Sequence, residues 1–182
     1  MQLIAFLILI LASAAPAFAQ ARPGSAVPAV NPHLLVLPEV SGATVTCYDF
    51  RNRYVRFVDV PDLGDAGRAE FVYGNGPVIM IDPELMGALP PALQVFFKLH
   101  ECGHHALGHL VAPNSRSERE ADCWAIARGH TLAVFDRAMI ESWRPSFAQS
   151  RGDLNGHLPG AQRVDFLLSC YDDPSGTFAR LE

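Results

Sequence analysis

The sequence predicts an α+β domain in which a small antiparallel sheet packs on two consecutive helices that carry the chemistry. Three observations predict it. Between residues 44 and 82, short β-branched and aromatic runs alternate with Gly, Asn, Asp and Pro, which is strand-and-turn composition. From 91 to 107 apolar residues recur at helical spacing behind Pro90-Pro91, a helix start. After the break Pro113-Asn114-Ser115-Arg116-Ser117 a second helix opens, with Glu118 and Asp122 one turn apart.

Residues 1–19 contain no charged side chain, run apolar from Leu3 to Leu11 and end on Ala17-Phe18-Ala19. That is the pattern of a secretory signal peptide cleaved after Ala19. The expected product is exported, periplasmic or secreted, with no stable membrane insertion after cleavage. Residues 20–40, with Pro23, Pro28, Pro32 and Pro38, read as a Pro/Ala-rich extended lead. Residues 41–182 form one domain, and a hydrophobic content of 49% is enough for a core. A net charge of −5 with scattered Lys and Arg excludes a nucleic-acid footprint and gives no attraction to anionic membranes.

Thr44-Val45-Thr46-Cys47-Tyr48 and residues 54–60 read as two strands joined by a polar turn. Residues 70–73 and 77–82 flank Gly74-Asn75-Gly76 as a hairpin. The run from Val78 to Ile81 leads towards the first helix, and Gly76-Pro77 at its start favours an edge position. There it would hold an extended peptide by strand addition; a buried core strand is the alternative.

The first helix carries His100-Glu101-Cys102-Gly103-His104. At i and i+4 the two imidazoles share a face and can bind one ion, while Glu101, about 100° round, can reach a water on it. Two imidazoles and one carboxylate with a position open to water make a catalytic zinc site. The expected cofactor is one zinc ion per chain. Glu118 is the expected third ligand, with Glu120 the rival; Glu120 shares no face with Asp122. Asp122 is expected to accept a hydrogen bond from the other nitrogen of a liganding His. Gly103 leaves room for a close neighbour. Ser115…Glu118 and Ser117…Glu120 both have capping-box spacing. His105 and His109 fall on the side of Lys98, a face expected in solvent.

The second helix is expected to stop at Gly129, and a supporting helix to run from Thr131 to Trp143 until Pro145 ends it. A loop carrying Asp153 and His157 leads to a last helix over 160–171. His157 and Arg163 are candidate stabilisers of a developing oxyanion. Cys47, Cys102, Cys123 and Cys170 in an exported chain predict two disulfides, with three pairings open.

The pair His100-Glu101-Cys102-Gly103-His104 and Glu118-x-x-Ala121-Asp122 resembles the gluzincin metallopeptidases, of the type that includes the CAAX prenyl proteases and bacterial heat-shock membrane proteases. His157-Leu158-Pro159, followed by Arg163-Val164, is similar to a later segment of that family. The resemblance covers roughly residues 78–170 and implies a zincin-like fold and peptide-bond hydrolysis. The chain departs from the membrane members in lacking internal apolar spans and in the short link between its two helices. The expected function is an exported zinc metalloendopeptidase acting on a peptide or protein substrate, with Glu101 as general base. The alternatives are a zinc-stabilised binding or chaperone-like module with little turnover, and a metal-storage protein built on the His-rich helix.

Overall fold

The computed structural model describes residues 46–152 and 156–174. The expected signal peptide, the 20–40 lead, the first residues of the first expected strand, Asp153 and the tail from 175 lie outside the described residues. In chain order the elements are β1 (Arg56–Asp59), β2 (Gly67–Val72), β3 (Gly76–Ile81), α1 (Pro83–Gly87), α2 (Pro91–Ala106), α3 (Ser117–Thr131), α4 (Arg137–Glu141), α5 (Arg144–Phe147) and α6 (Gly160–Asp172). Among the described residues the fold is mixed: one three-stranded sheet, then helices.

The sheet corrects two expectations. Its order is β1-β3-β2, with β2 antiparallel to β3 but β1 parallel to it. It is therefore a mixed sheet, because the 60–66 loop carries the chain past the sheet before the β2–β3 hairpin returns it to the middle. The run Val78–Ile81 is accordingly the central strand, and the edge beside the helices is β2. Pro77 is tolerated because pairing with β1 begins one residue later, at Val78. The hairpin itself forms as expected, with Gly74 and Gly76 both at φ +77°. Of the first expected strand pair, Tyr48 and Tyr54 make one antiparallel bridge. The polar turn between them is organised by Asp49, which accepts from the Arg51 and Arg53 amides at 2.9 and 2.8 Å.

Helix α2 is the hub: α3 packs on one side of it, β2 and β3 on another. One apolar cluster joins Phe96 and Leu99 to Ile126, Trp143, Phe147 and Leu167; a second joins Val55, Ile79, Ile81 and Met86 beneath the sheet. Gly103 does leave room for a neighbour. A Cβ there would lie 3.2 Å from the Ala121 Cα, so the two helices cross nearly backbone to backbone. The disulfides are Cys47–Cys102 and Cys123–Cys170. Cys102 turns into the cluster beneath the sheet and Cys123 into the helical cluster, away from the α2–α3 seam.

Three helix boundaries differ from the expectation. Helix α3 continues through Gly129 to Thr131, since that glycine serves packing: a Cβ would strike the Phe135 ring. No capping box forms at its start. The Ser117 hydroxyl instead accepts from the Asn114 amide, and the Asn114 side chain from the Arg116 amide. The expected helix 131–143 is replaced by a turn and the short α4, because the Asp136 carboxylate caps the Met139 amide at 2.7 Å. Pro145 then lies in the first turn of α5, where its missing N–H costs nothing.

Candidate metal centre

Helix α2 turns His100 and His104 towards the first turn of α3, where Glu118 projects. The His100 Nε2 lies 3.1 Å from the His104 Nε2 and 3.2 Å from the Glu118 Oε2, which is 3.4 Å from the His104 Nε2. Glu120 turns elsewhere, to His109 and Asn114. Asp122 reaches the His100 Nδ1 at 2.8 Å. A carboxylate only accepts, so the His100 Nδ1 carries a proton towards Asp122, and whenever the ring is neutral its Nε2 lone pair is left for a cation.

Electron-rich atoms thus converge with little between them, which is a demand for positive charge. Burial opposes charging His100, yet hydrogen bonds to Asp122 and Glu118 outweigh it and raise its pKa to about 9. Burial likewise opposes the Glu118 anion, but the three surrounding imidazoles of His100, His104 and His157 hold its pKa far below the carboxylate range. A tetrahedral zinc ion with ligands near 2.0–2.1 Å has ligand-to-ligand edges of about 3.3 Å. The observed 3.1, 3.2 and 3.4 Å edges fit such an ion.

His157 joins this cluster. Its Nε2 is 2.6 Å from the Glu118 Oε2, and its ring lies over the His100 ring at 5.8 Å. The ligand atoms of His100, Glu118 and His157 all lie within 4.8 Å of one another, a set that could hold a metal ion. Two triads therefore share the His100–Glu118 edge, one completed by His104 and the other by His157. All three edges of the former match a single small cation. The loop delivering His157 is held by Gly152, at φ +72°, where a Cβ would sit 2.6 Å from the His157 carbonyl oxygen.

Arg163, the other candidate stabiliser of a developing oxyanion, lines the cleft over the cluster and pairs with Asp122. Its Nε and one terminal nitrogen grip Asp122 at 2.9 and 2.6 Å, and its guanidinium lies 5.2–5.8 Å from the Phe96, Phe97 and Phe147 ring centres. Burial opposes the Asp122 anion, but Arg163 and His100 together bring its pKa down to about 2. Arg163, Asp122 and His100 thus form one line of hydrogen bonds ending at the cluster.

Glu101 sits one step round α2, and its Oε2 accepts from the Ala69 amide of β2 at 2.8 Å. Gly67 keeps this approach open, since a Cβ there would lie 3.2 Å from the Glu101 Cγ. A cleft of about 510 Å³, lined by Gly67, Ala69, Glu101, His104, Glu118 and His157 among others, opens over the cluster. It falls within the size range of small-ligand and peptide-side-chain sites.

The helical wheel misplaces two histidines. His105 is 1% exposed and pairs its Nε2 with the Val78 carbonyl at 2.8 Å, under the sheet. His109 is 5% exposed and faces His104 at 3.2 Å between their Nδ1 atoms. The expectation that both face solvent is corrected: the sheet covers the first, and α2 ends before the second. Gly108 was the available signal, because a glycine just past a helix end marks a chain reversal.

Comparison with protein-family models, curated proteins and solved structures returns no match for this chain. The two disulfides fit an oxidising compartment. No helix among the described residues is long and apolar enough to cross a membrane.

Proposed function

We propose that the chain is a zinc-dependent metalloendopeptidase with a zincin-like arrangement of helices and sheet. The observation that carries this reading is the convergence of His100, His104 and Glu118 at tetrahedral edge lengths, with Glu101 beside them in the same cleft. His100, His104 and Glu118 would hold the ion. When bound, zinc supplies Lewis acidity to a carbonyl oxygen and lowers the pKa of water.

The remaining work belongs to the chain. Glu101, steadied by the Ala69 amide, takes the proton of the attacking water and passes it to the leaving amine. Asp122, itself held by Arg163, fixes the His100 ring with its Nε2 lone pair forward. The outer edge of β2, which pairs with no further strand among the described residues, passes the cleft, and an extended substrate would add to it as a strand, with the Ala69 amide shared with Glu101. His157, beside Glu118, donates to the negative charge that develops on the scissile oxygen. The signal-like amino terminus and the two disulfides support export to the periplasm or beyond.

A second reading, a zinc-stabilised binding module, draws on His157 itself. Four protein donors close a zinc site and leave no position for water. Incubating zinc-loaded protein with a mixed peptide library, with and without a chelator, separates the two. Chelator-sensitive cleavage lost in Glu101→Gln supports the peptidase; peptide retention without cleavage supports the module. A storage protein would instead bind several ions per chain.

A further inference from the structure

Just past the end of α2 the chain reverses. Gly108 takes φ +76°; the Gly108 amide donates to the His105 carbonyl at 3.2 Å and the His109 amide to the His104 carbonyl at 3.0 Å. This pair of bonds with a left-handed glycine is the Schellman ending of a helix. Its consequence here is that His109 folds back against the ring of His104, its own main-chain partner. The rings meet edge to face at 5.2 Å, with 3.2 Å between the two Nδ1 atoms. On its far side, the His109 Nε2 lies 2.9 Å from the Glu120 Oε2. Asn114 and Arg116 hold that carboxylate in turn, at 3.3 and 3.5 Å.

We infer that His109 and Glu120 are positioning residues that set the tautomer and orientation of His104 for metal binding, an inference that rests on the zinc site proposed above. The Glu120 carboxylate has no proton to give, so the His109 Nε2 must donate to it. A neutral imidazole carries one N–H, so the His109 Nδ1 is left as an acceptor. The atom facing it, the His104 Nδ1, must then be the donor. That leaves the lone pair of His104 on its Nε2, which is the atom 3.1 Å from His100 and 3.4 Å from Glu118. The two imidazoles of the site would thus be prepared by separate devices: His100 directly by Asp122, and His104 through an intervening imidazole by Glu120. Both carboxylates sit on α3, so one helix supplies the third ligand and orients the other two.

Zinc affinity, measured by competition with a chromophoric chelator, tests this on full-length protein as wild type, His104→Ala, His109→Leu and His109→Asn. His109→Leu removes the acceptor and is expected to weaken zinc 10–100-fold, the usual cost of losing an orienting partner. His109→Asn keeps an acceptor oxygen near the Nδ1 position and is expected to stay within a few-fold of wild type. Wild-type affinity in His109→Leu, or equal losses in the two variants, overturns the relay. If wild type and His104→Ala bind zinc equally, the proposed site itself fails, a result distinguishable from failure of the relay. Because a variant can fail to fold, the wild-type metal-free protein gives a second readout by long-range ¹H–¹⁵N correlation of the ring nitrogens. The relay requires a protonated Nδ1 in His104 and a protonated Nε2 in His109; the reverse assignment at either ring overturns it.

Discussion

At Glu101, replacing one carboxylate oxygen by an amide nitrogen removes a proton acceptor and leaves shape unchanged. Glu101→Gln is expected to keep zinc affinity near wild type and to lower turnover by about 10²–10⁴-fold, the usual contribution of general acid–base transfer. Peptide cleavage assayed alongside metal content checks it; a variant that cleaves normally removes Glu101 from the mechanism. Arg163 is expected to act on stability as well as on the site. Arg163→Met strands the Asp122 carboxylate, 1% exposed, without its bidentate partner. Breaking such a buried pair costs about 3–5 kcal/mol, readable as a lower urea midpoint at unchanged slope. That His100 and His104 share a face was legible in the sequence because i,i+4 spacing on a helix is geometry that tertiary contacts do not alter. The contacts of Arg163 were not, since nothing in the spacing of α6 says that Asp122 lies opposite it.

At the scale of elements, the site depends on how closely α2 and α3 approach. Gly103→Val places methyl groups where the Ala121 Cα and carbonyl already stand 3.2 and 3.3 Å from a bare Cβ. The helices must part, with an expected loss of about 1–3 kcal/mol and weaker zinc binding as Glu118 recedes from the imidazoles. A variant as stable and as tight as wild type would deny that the crossing sets the site. A second prediction concerns α1, which Asp82 caps while also accepting from the Leu63 amide of the 60–66 loop. The amides of Leu85, Glu84 and Leu63 outweigh burial and hold its carboxyl below the ordinary 3.8. A depressed folded-state pKa means the stabilisation is complete above about pH 4 and fades as pH falls towards that depressed value. Asp82→Asn should therefore melt lower than wild type at pH 7, with the gap closing below pH 4. A gap independent of pH would refute the role of the charge. Helix α2 was legible because Pro91 and an apolar period agree. The supporting helix over 131–143 was not, since Asp136 caps a new helix inside what reads as one amphipathic run.

For the whole molecule, a small sheet and a set of helices are joined at α2 and tied by two covalent links. Cys47–Cys102 and Cys123–Cys170 close segments of 55 and 47 residues. In loops of this length each bond is worth about 2–4 kcal/mol. Removing the second with Cys123→Ala/Cys170→Ala should lower the melting temperature in oxidising buffer and abolish the response to reductant at that bond. The mixed α and β character was legible from the change in composition near residue 82. The sheet order was not, because strand composition says nothing of direction: the run that reads as an edge is the centre, and β2 takes the edge beside Glu101. The pairing of the cysteines also depended on which cluster each faced, which spacing alone leaves open. The most direct test of the whole account is zinc binding by purified wild type and Glu118→Ala, titrated against a competing chelator. The account predicts one ion per chain in wild type and a loss of affinity of at least about a hundredfold in Glu118→Ala. Wild type that takes up no zinc, or a Glu118→Ala protein that binds it equally well, would contradict the account.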